Sequence, residues 1–393
     1  MIFPIVSELL SVVGRHRAVV SAMDGLLRGA LETQIAGLTD PAKALVVAHA
    51  AATLKRPVVL LTTTNERADL LGEAAGYFLQ ALARRTEEAT QVLPALDVTP
   101  WDGRSPHPEI CEERAATLWR AATGQAAVVV APVAAALLRC SPARAYQELA
   151  RTVSDDEELP LEELLEFLRG AGYQREQTVA MPGQFAVRGG IVDVFPPEGM
   201  YPVRIELLGD TVESLREFDP ETQRSVRPAE RVTLLPLVET AGGPWDIIGG
   251  GEDGEEGKRQ ELRRGPGENG ERGEKQEEEN EGRRGDVFQL FHEPLVMMDE
   301  PADIAAAIEE FRERWQRAYD ARGAGAPDEP AEGFALREEE WAAALAPHQR
   351  VSLERLALGE SRETTGTVLC QPTARYHGNL PAFLNEARGR LQA

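Results

Sequence analysis

Along the first 145 or so residues, short runs of consecutive apolar residues alternate with longer segments whose apolar positions recur every three or four residues. The runs PVVLLTT (57–63) and AAVVVAPV (126–133) are rich in β-branched side chains and too short for helices, so they predict strands buried on both faces. Between them, 66–83 and 108–122 carry a helical period, and the second segment opens with Glu109, Glu112 and Glu113, which suit the positive end of a helix dipole. Strands and helices taking turns in this way predict an α/β domain whose parallel sheet is covered by helices on both faces.

From about residue 150 the rhythm changes. One helical stretch (161–171) is followed by short alternating runs with turn residues between them. PVRIELLGDTVESLREFD is the clearest hairpin, turning at Gly209-Asp210. GQFAVRGGIVDVFPPEG (183–199) reads as two more strands broken at Gly189-Gly190, with Arg188 at the break. Residues 148–236 therefore predict a separate α+β domain inserted into the first, which occupies 1–147 and resumes over 237–345.

The stretch 249–286 holds thirteen acidic and eight basic residues and almost nothing apolar, so it cannot offset the entropy of ordering and is expected to be disordered. Beyond it, 294–301 predicts a strand ending in acids, 302–319 an amphipathic helix, 366–371 a strand and 380–391 a helix. Residues 346–393 are expected to open a further domain. A helix arriving after a strand in an unfinished β/α series predicts the front part of a longer protein, with a naturally short chain as the other reading.

The net charge of −23 argues against a chain that holds nucleic acid mainly by neutralising phosphates, and favours a protein partner with a basic face. The 393 residues include only three cysteines, Cys111, Cys140 and Cys370, at no disulfide or zinc spacing, and the six histidines are scattered. Neither a metal site nor a disulfide is expected. No apolar run is long enough to span a bilayer, and the reading is a soluble, cytoplasmic protein.

An α/β sheet of this kind places GxxxxGK[ST] before an early helix to cradle phosphates. The chain offers Gly37-Leu-Thr-Asp-Pro-Ala42-Lys43-Ala44. Gly37 and Lys43 are in place, but the second glycine is Ala42 and the magnesium-binding hydroxyl is lost at Ala44. Asp40 adds a negative charge and Pro41 removes a backbone donor, so tight MgATP binding is expected to fail and the loop reads as a relic. Asp299 and Glu300, at the end of the 294–301 strand, stand where such enzymes hold magnesium; with no nucleotide to serve, they read as solvated acids.

The run 172–226, with RGGIVDVFP followed by VRIELLGDTVESLREFDPETQ, resembles the UvrA-binding domain shared by the excision-repair protein UvrB and the transcription-repair coupling factors (Mfd). TPWDGRSPHPEICEERAATLW (99–119) and TARYHGNLPAFLNEARGRL (373–391) are similar to segments that flank this domain in the coupling factors. The defective loop sides with the coupling factors, because UvrB keeps a working one. The resemblance implies a degenerate RecA/UvrB-like sheet domain carrying an inserted UvrA-binding domain. It implies UvrA as the partner, with Arg175, Phe185, Arg188, Gly189 and Gly190 at the contact, and the glycines admitting a close backbone approach. A third arginine of the UvrB surface is replaced here by Ala186.

The resemblance further implies that RNA polymerase, DNA, ATP and magnesium are engaged by regions outside these residues, in an ATP-dependent DNA translocase. For this chain itself it implies neither a catalytic residue nor a cofactor. Two alternatives stay open: a helicase-like ATPase with an unusual working loop, and, for Arg188, an edge-strand charge that discourages aggregation.

Overall fold

The computed structural model describes residues 14–83, 89–239, 285–323, 326–356, 365–368 and 370. Among them are two main sheets, each with its own hydrophobic core.

The first sheet has seven strands in the order β15-β1-β14-β13-β2-β4-β3: Thr365–Thr367, Glu32–Ala36, Arg350–Leu353, Leu295–Asp299, Val58–Thr62, Val128–Pro132 and Thr90–Val92. All neighbouring pairs are parallel. Every residue of β2 and β4 is buried, which accounts for their unbroken apolar sequences.

One face of this sheet packs on helices α2 (Asp40–Leu54) and α3 (Asn65–Ala83). The other packs on α4 (Pro108–Ala122) and on α8 (Pro301–Asp320), which lies C-terminal to the inserted domain. On that second side Trp101 meets Trp315, Tyr319 and Phe334 edge to face, at centroid distances of 5.6, 5.4 and 5.6 Å. Asp102 accepts a hydrogen bond from the Thr99 amide, so the Trp-Asp pair of the 99–119 segment has a packing role.

The expected boundary at 345/346 does not follow the structure. Strand β14 lies between β1 and β13 in the middle of the sheet, and β15 closes its edge. Arg350–Leu353 and Thr365–Thr367 thus supply two strands of the first domain. Parallel strands are joined by crossovers, so chain order does not reveal sheet order. The expected helix at 380–391 and nearly all of the 249–286 stretch lie outside the described residues.

The second sheet is six-stranded, β11-β10-β9-β8-β7-β6: Ser225–Ala229, Thr211–Phe218, Val203–Leu208, Ile191–Val194, Gln184–Arg188 and Gln174–Arg175. Its pairs are antiparallel except β6 with β7. Helix α7 (Leu161–Gly170) covers one face through Leu164, Leu165 and Leu168, which pack against Phe185, Val192, Ile205 and Leu215. The entering strand β5 (Arg151–Ser154) pairs antiparallel with the leaving strand β12 (Arg231–Leu234), so the insertion starts and ends at one place.

Two arginines of α4 brace the junction where the inserted domain leaves and returns. Arg114, 1% exposed, donates to Glu239 on the returning chain and to the Pro94 carbonyl. Arg120 forks onto the Glu198 carboxylate of the inserted domain, with its Nη1 2.7 Å from Oε1.

Candidate functional site

The loop after β1 is short, because α2 starts at Asp40 with Pro41 in its first turn. No extended run of backbone amides is left to wrap a phosphate. Gly37 has φ +79°, and a Cβ on it would lie 1.9 Å from the Val368 carbonyl oxygen. The glycine therefore admits the chain that follows β15, whose Val368 amide donates to Ala36 O at 2.8 Å. Ala44 is fully buried in the core beneath.

Lys43 is fully buried as well, and its ammonium is occupied. Nζ lies 2.6 Å from Asp299 Oδ1 and 2.5 Å from Glu300 Oε1. Asp299 also accepts from Arg67 Nε at 2.6 Å, and Arg67 Nη2 reaches Asp40 Oδ1 at 2.8 Å. Arg355 adds a contact to Asp40 at 3.2 Å, while its backbone amide donates to Glu300 Oε1 at 2.8 Å. Three cations thus face three carboxylates. The hydrogen bond from Arg67, which outweighs the opposing effect of burial, holds the Asp40 carboxyl down at about 2.

The reading of Asp299 and Glu300 as solvated strand-end acids is corrected here: Asp299 is 2% exposed, and both pair with Lys43. The signal lay in the strand ending in acids together with Lys43, but Arg67 and Arg355 belong to no loop motif and were not legible.

The other sequence-derived site lies on the inserted domain. Arg188 ends β7 and is exposed; its Nη2 donates to Gln177 O at 3.1 Å and approaches Thr178 Oγ1 at 3.3 Å. The guanidinium is thereby fixed against the loop that follows β6, leaving other donors free for a partner. Arg175 lies on edge strand β6, exposed, opposite Phe185 in the register. Its α-carbon is some 10 Å from that of Arg188, three residues along the neighbouring strand.

Two of the expected contact residues do something else. Phe185 is fully buried in the core under α7 and shows no surface to a partner. Alternation along β7 settles this: Phe185 and Val187 face the helix, whereas Ala186 and Arg188 face away. Gly190 is spoken for by the fold, because a Cβ there would sit 2.7 Å from Leu207 O, and Leu207 N donates to Gly190 O. Gly189 has φ +63° with open space around its Cβ position, so it makes the turn and leaves its surface clear.

The signature itself has a structural component. Asp193, 2% exposed, takes a bidentate fork from Arg204, at 2.7 and 2.9 Å. The Arg204 guanidinium also lies 4.7 Å from the centroid of Phe218. Burial pushes the thiols of Cys111 and Cys140 up to about 11 and about 12, so neither is a nucleophile near neutral pH. Among the described residues no cluster of His, Cys, Asp and Glu has the geometry to hold a metal, and no helix is long and apolar enough to cross a membrane.

A parallel α/β sheet carrying an inserted antiparallel domain with an arginine-bearing hairpin corner defines the class, and residues 152–239 match the UvrB interaction domain. Sequence comparison narrows it further. The chain is 33% identical over 214 residues to the transcription-repair-coupling factor of Myxococcus xanthus, covering 54% of this chain and 18% of that protein. It is 31% identical over 206 residues to that of Staphylococcus aureus strain USA300, covering 52% and 17%. With that of Bacillus subtilis strain 168 the identity is 27% over 219 residues, covering 56% and 18%. The chain thus contains a UvrB interaction domain within a region like the N-terminal part of these coupling factors, and the match spans less than a fifth of their length.

Proposed function

We propose that this chain is a recruitment module for nucleotide-excision repair, docking UvrA through its inserted domain so that repair is coupled to transcription. The observation that carries this is Arg188, exposed and anchored at the hairpin corner of the domain that matches the UvrB interaction domain. A guanidinium held on a rigid strand end can fork onto a carboxylate, and arginine is over-represented among residues that dominate binding energy. Arg175, exposed on the neighbouring edge strand, pairs in register with Phe185 and so lies on the opposite side of the sheet from Arg188, which makes Arg188 the corner cation on which the reading rests.

The parallel-sheet domain serves as a platform in this reading. A working nucleotide loop is disfavoured because the Lys43 ammonium is sequestered by Asp299 and Glu300, and Asp40 stands at the loop with its charge already compensated. ATP, magnesium, RNA polymerase and DNA are assigned to other parts of a coupling factor.

The test is a calorimetric titration of UvrA from the same source into this protein and into Arg188→Ala. Micromolar or tighter binding that weakens about tenfold in the variant, roughly 1.4 kcal/mol, supports docking at the corner. Absence of binding by the unaltered protein overturns the recruitment reading.

A further inference from the structure

Helix α8 and the short helix α9 (Ala331–Phe334) of the parallel-sheet domain do not close fully on each other. Between them lies a cavity of about 610 Å³, within the size range of small-ligand sites. Its origin is a mismatch of side chains: Phe311 and Trp315 of α8 line it with rings whose centroids are 4.8 Å apart, while Ala331 and Ala335 line it from the other segment. Small residues facing large ones leave a gap only where the walls are held, and here they are. Phe334 is fully buried against Trp101, and the Leu336 amide donates to Leu137 O at 2.8 Å. Arg139 fixes the same segment through the Glu332 carbonyl at 2.9 Å and the Glu340 carboxylate at 2.7 Å.

Two donors on the lining residues are unmatched. Trp315 Nε1 and Arg312 Nη2 are buried and have no hydrogen-bond partner among the described residues. A buried donor without an acceptor bears the cost of desolvation with nothing to offset it, and native folds carry few of them. Two such donors on residues lining one cavity point to an acceptor supplied from outside the chain.

The acceptor that fits is uncharged. The Arg312 guanidinium already meets two carboxylates, with Nη1 3.1 Å from Glu309 Oε1 and 4.0 Å from Glu338 Oε2. The four glutamates that line the cavity outnumber its three arginines, so an entering anion would meet a net negative rim. A carbonyl oxygen takes N–H donors without adding charge. Phe311, Trp315 and the buried Leu336 supply an apolar floor on which a ring can pack.

We propose that this cavity is a binding site for a small uncharged ligand with an apolar, ring-bearing body and a carbonyl oxygen that accepts from Arg312 and Trp315. The site belongs to the parallel-sheet domain and not to the inserted one, so the proposal is independent of the recruitment reading.

The probe is N-benzylacetamide, titrated into the full chain and followed by ligand-observed NMR, with thermal unfolding of each variant. The unaltered protein should bind it with a dissociation constant of about 1 mM or tighter, as expected for a ligand of this size. Arg312→Met keeps the stem and removes the donors, and should weaken binding about fivefold or more. Ala331→Trp fills the cavity from a half-buried position and should abolish binding. Both variants should melt close to the unaltered protein. The anion 3-phenylpropanoate, of similar size, should bind about fivefold more weakly than the amide or worse.

No saturable binding of N-benzylacetamide up to about 10 mM overturns the site, and so does binding that Ala331→Trp leaves intact, because the probe then sits elsewhere. Unchanged affinity in Arg312→Met overturns the assignment of the donors. Tighter binding of 3-phenylpropanoate overturns the uncharged class. Binding of the capped tripeptide acetyl-Gly-Phe-Gly-amide with none of the free amide overturns a small ligand in favour of a peptide segment.

Discussion

Lys43 shows how one residue changes meaning when its surroundings change. In a working loop its charge meets phosphate; here it meets two carboxylates with no exposure to water. Removing one partner of a buried pair leaves the other charge uncompensated, so Lys43→Met is expected to destabilise the protein by about 3–5 kcal/mol, measured by urea unfolding. Asp40 has a carboxyl held at about 2, below its ordinary value, so its contribution is present above about pH 4 and is lost as pH falls through about 2. Asp40→Asn should therefore flatten the acid limb of the unfolding midpoint between those values while lowering stability at neutral pH. The two adjacent glycines also separate. Gly190→Ala brings a Cβ against Leu207 O and should cost about 1–3 kcal/mol, whereas Gly189→Asn, with open space and a left-handed residue of suitable type, should melt within a few degrees of the unaltered protein.

At the scale of elements, α4 links the two domains. Its sequence announces a helix through Pro108 and the early acids, and the structure gives that helix over Pro108–Ala122. That Arg114 and Arg120 reach Glu239 and Glu198 is decided by where the insertion leaves and re-enters. Glu239→Gln, which leaves the buried Arg114 without its countercharge, should lower the unfolding midpoint more than Glu198→Gln, whose carboxylate is about half exposed. Parallel melts of the two variants check the order. The β9–β10 hairpin was legible because Gly209, at φ +66°, sits between two alternating runs. Strands β1, β3 and β14 were not, being five, three and four residues long with mixed polarity, and their strand character comes from neighbours distant in sequence.

For the whole molecule, a hydrophobic core of its own and a paired entry and exit mean that the inserted domain is nearly self-contained. A polypeptide covering 148–239 is expected to unfold in a single cooperative transition with native-like far-UV circular dichroism. A broad, non-cooperative melt would mean that the Arg120–Glu198 contact and its neighbours are needed for the fold. The intact chain should show no saturable heat on titration with MgATP up to millimolar concentration, since binding would have to break the Lys43 pairs before making any of its own.

Periodicity alone determined the two kinds of domain, the long buried strands, the longer helices and the hairpin turns, because each follows from local spacing of apolar residues and from turn chemistry. The RGG segment and its downstream signature marked the surface region, since those residues lie close together in the chain. What tertiary structure decided depends on contacts across long sequence separations: β14 and β15 joining the first sheet, Asp299 and Glu300 closing on Lys43 from more than 250 residues away, and Phe185 turning inward while Arg188 turns outward. A pattern of spacings fixes which side of a strand a residue lies on, but only the packed fold shows which side faces water and which charge stands opposite.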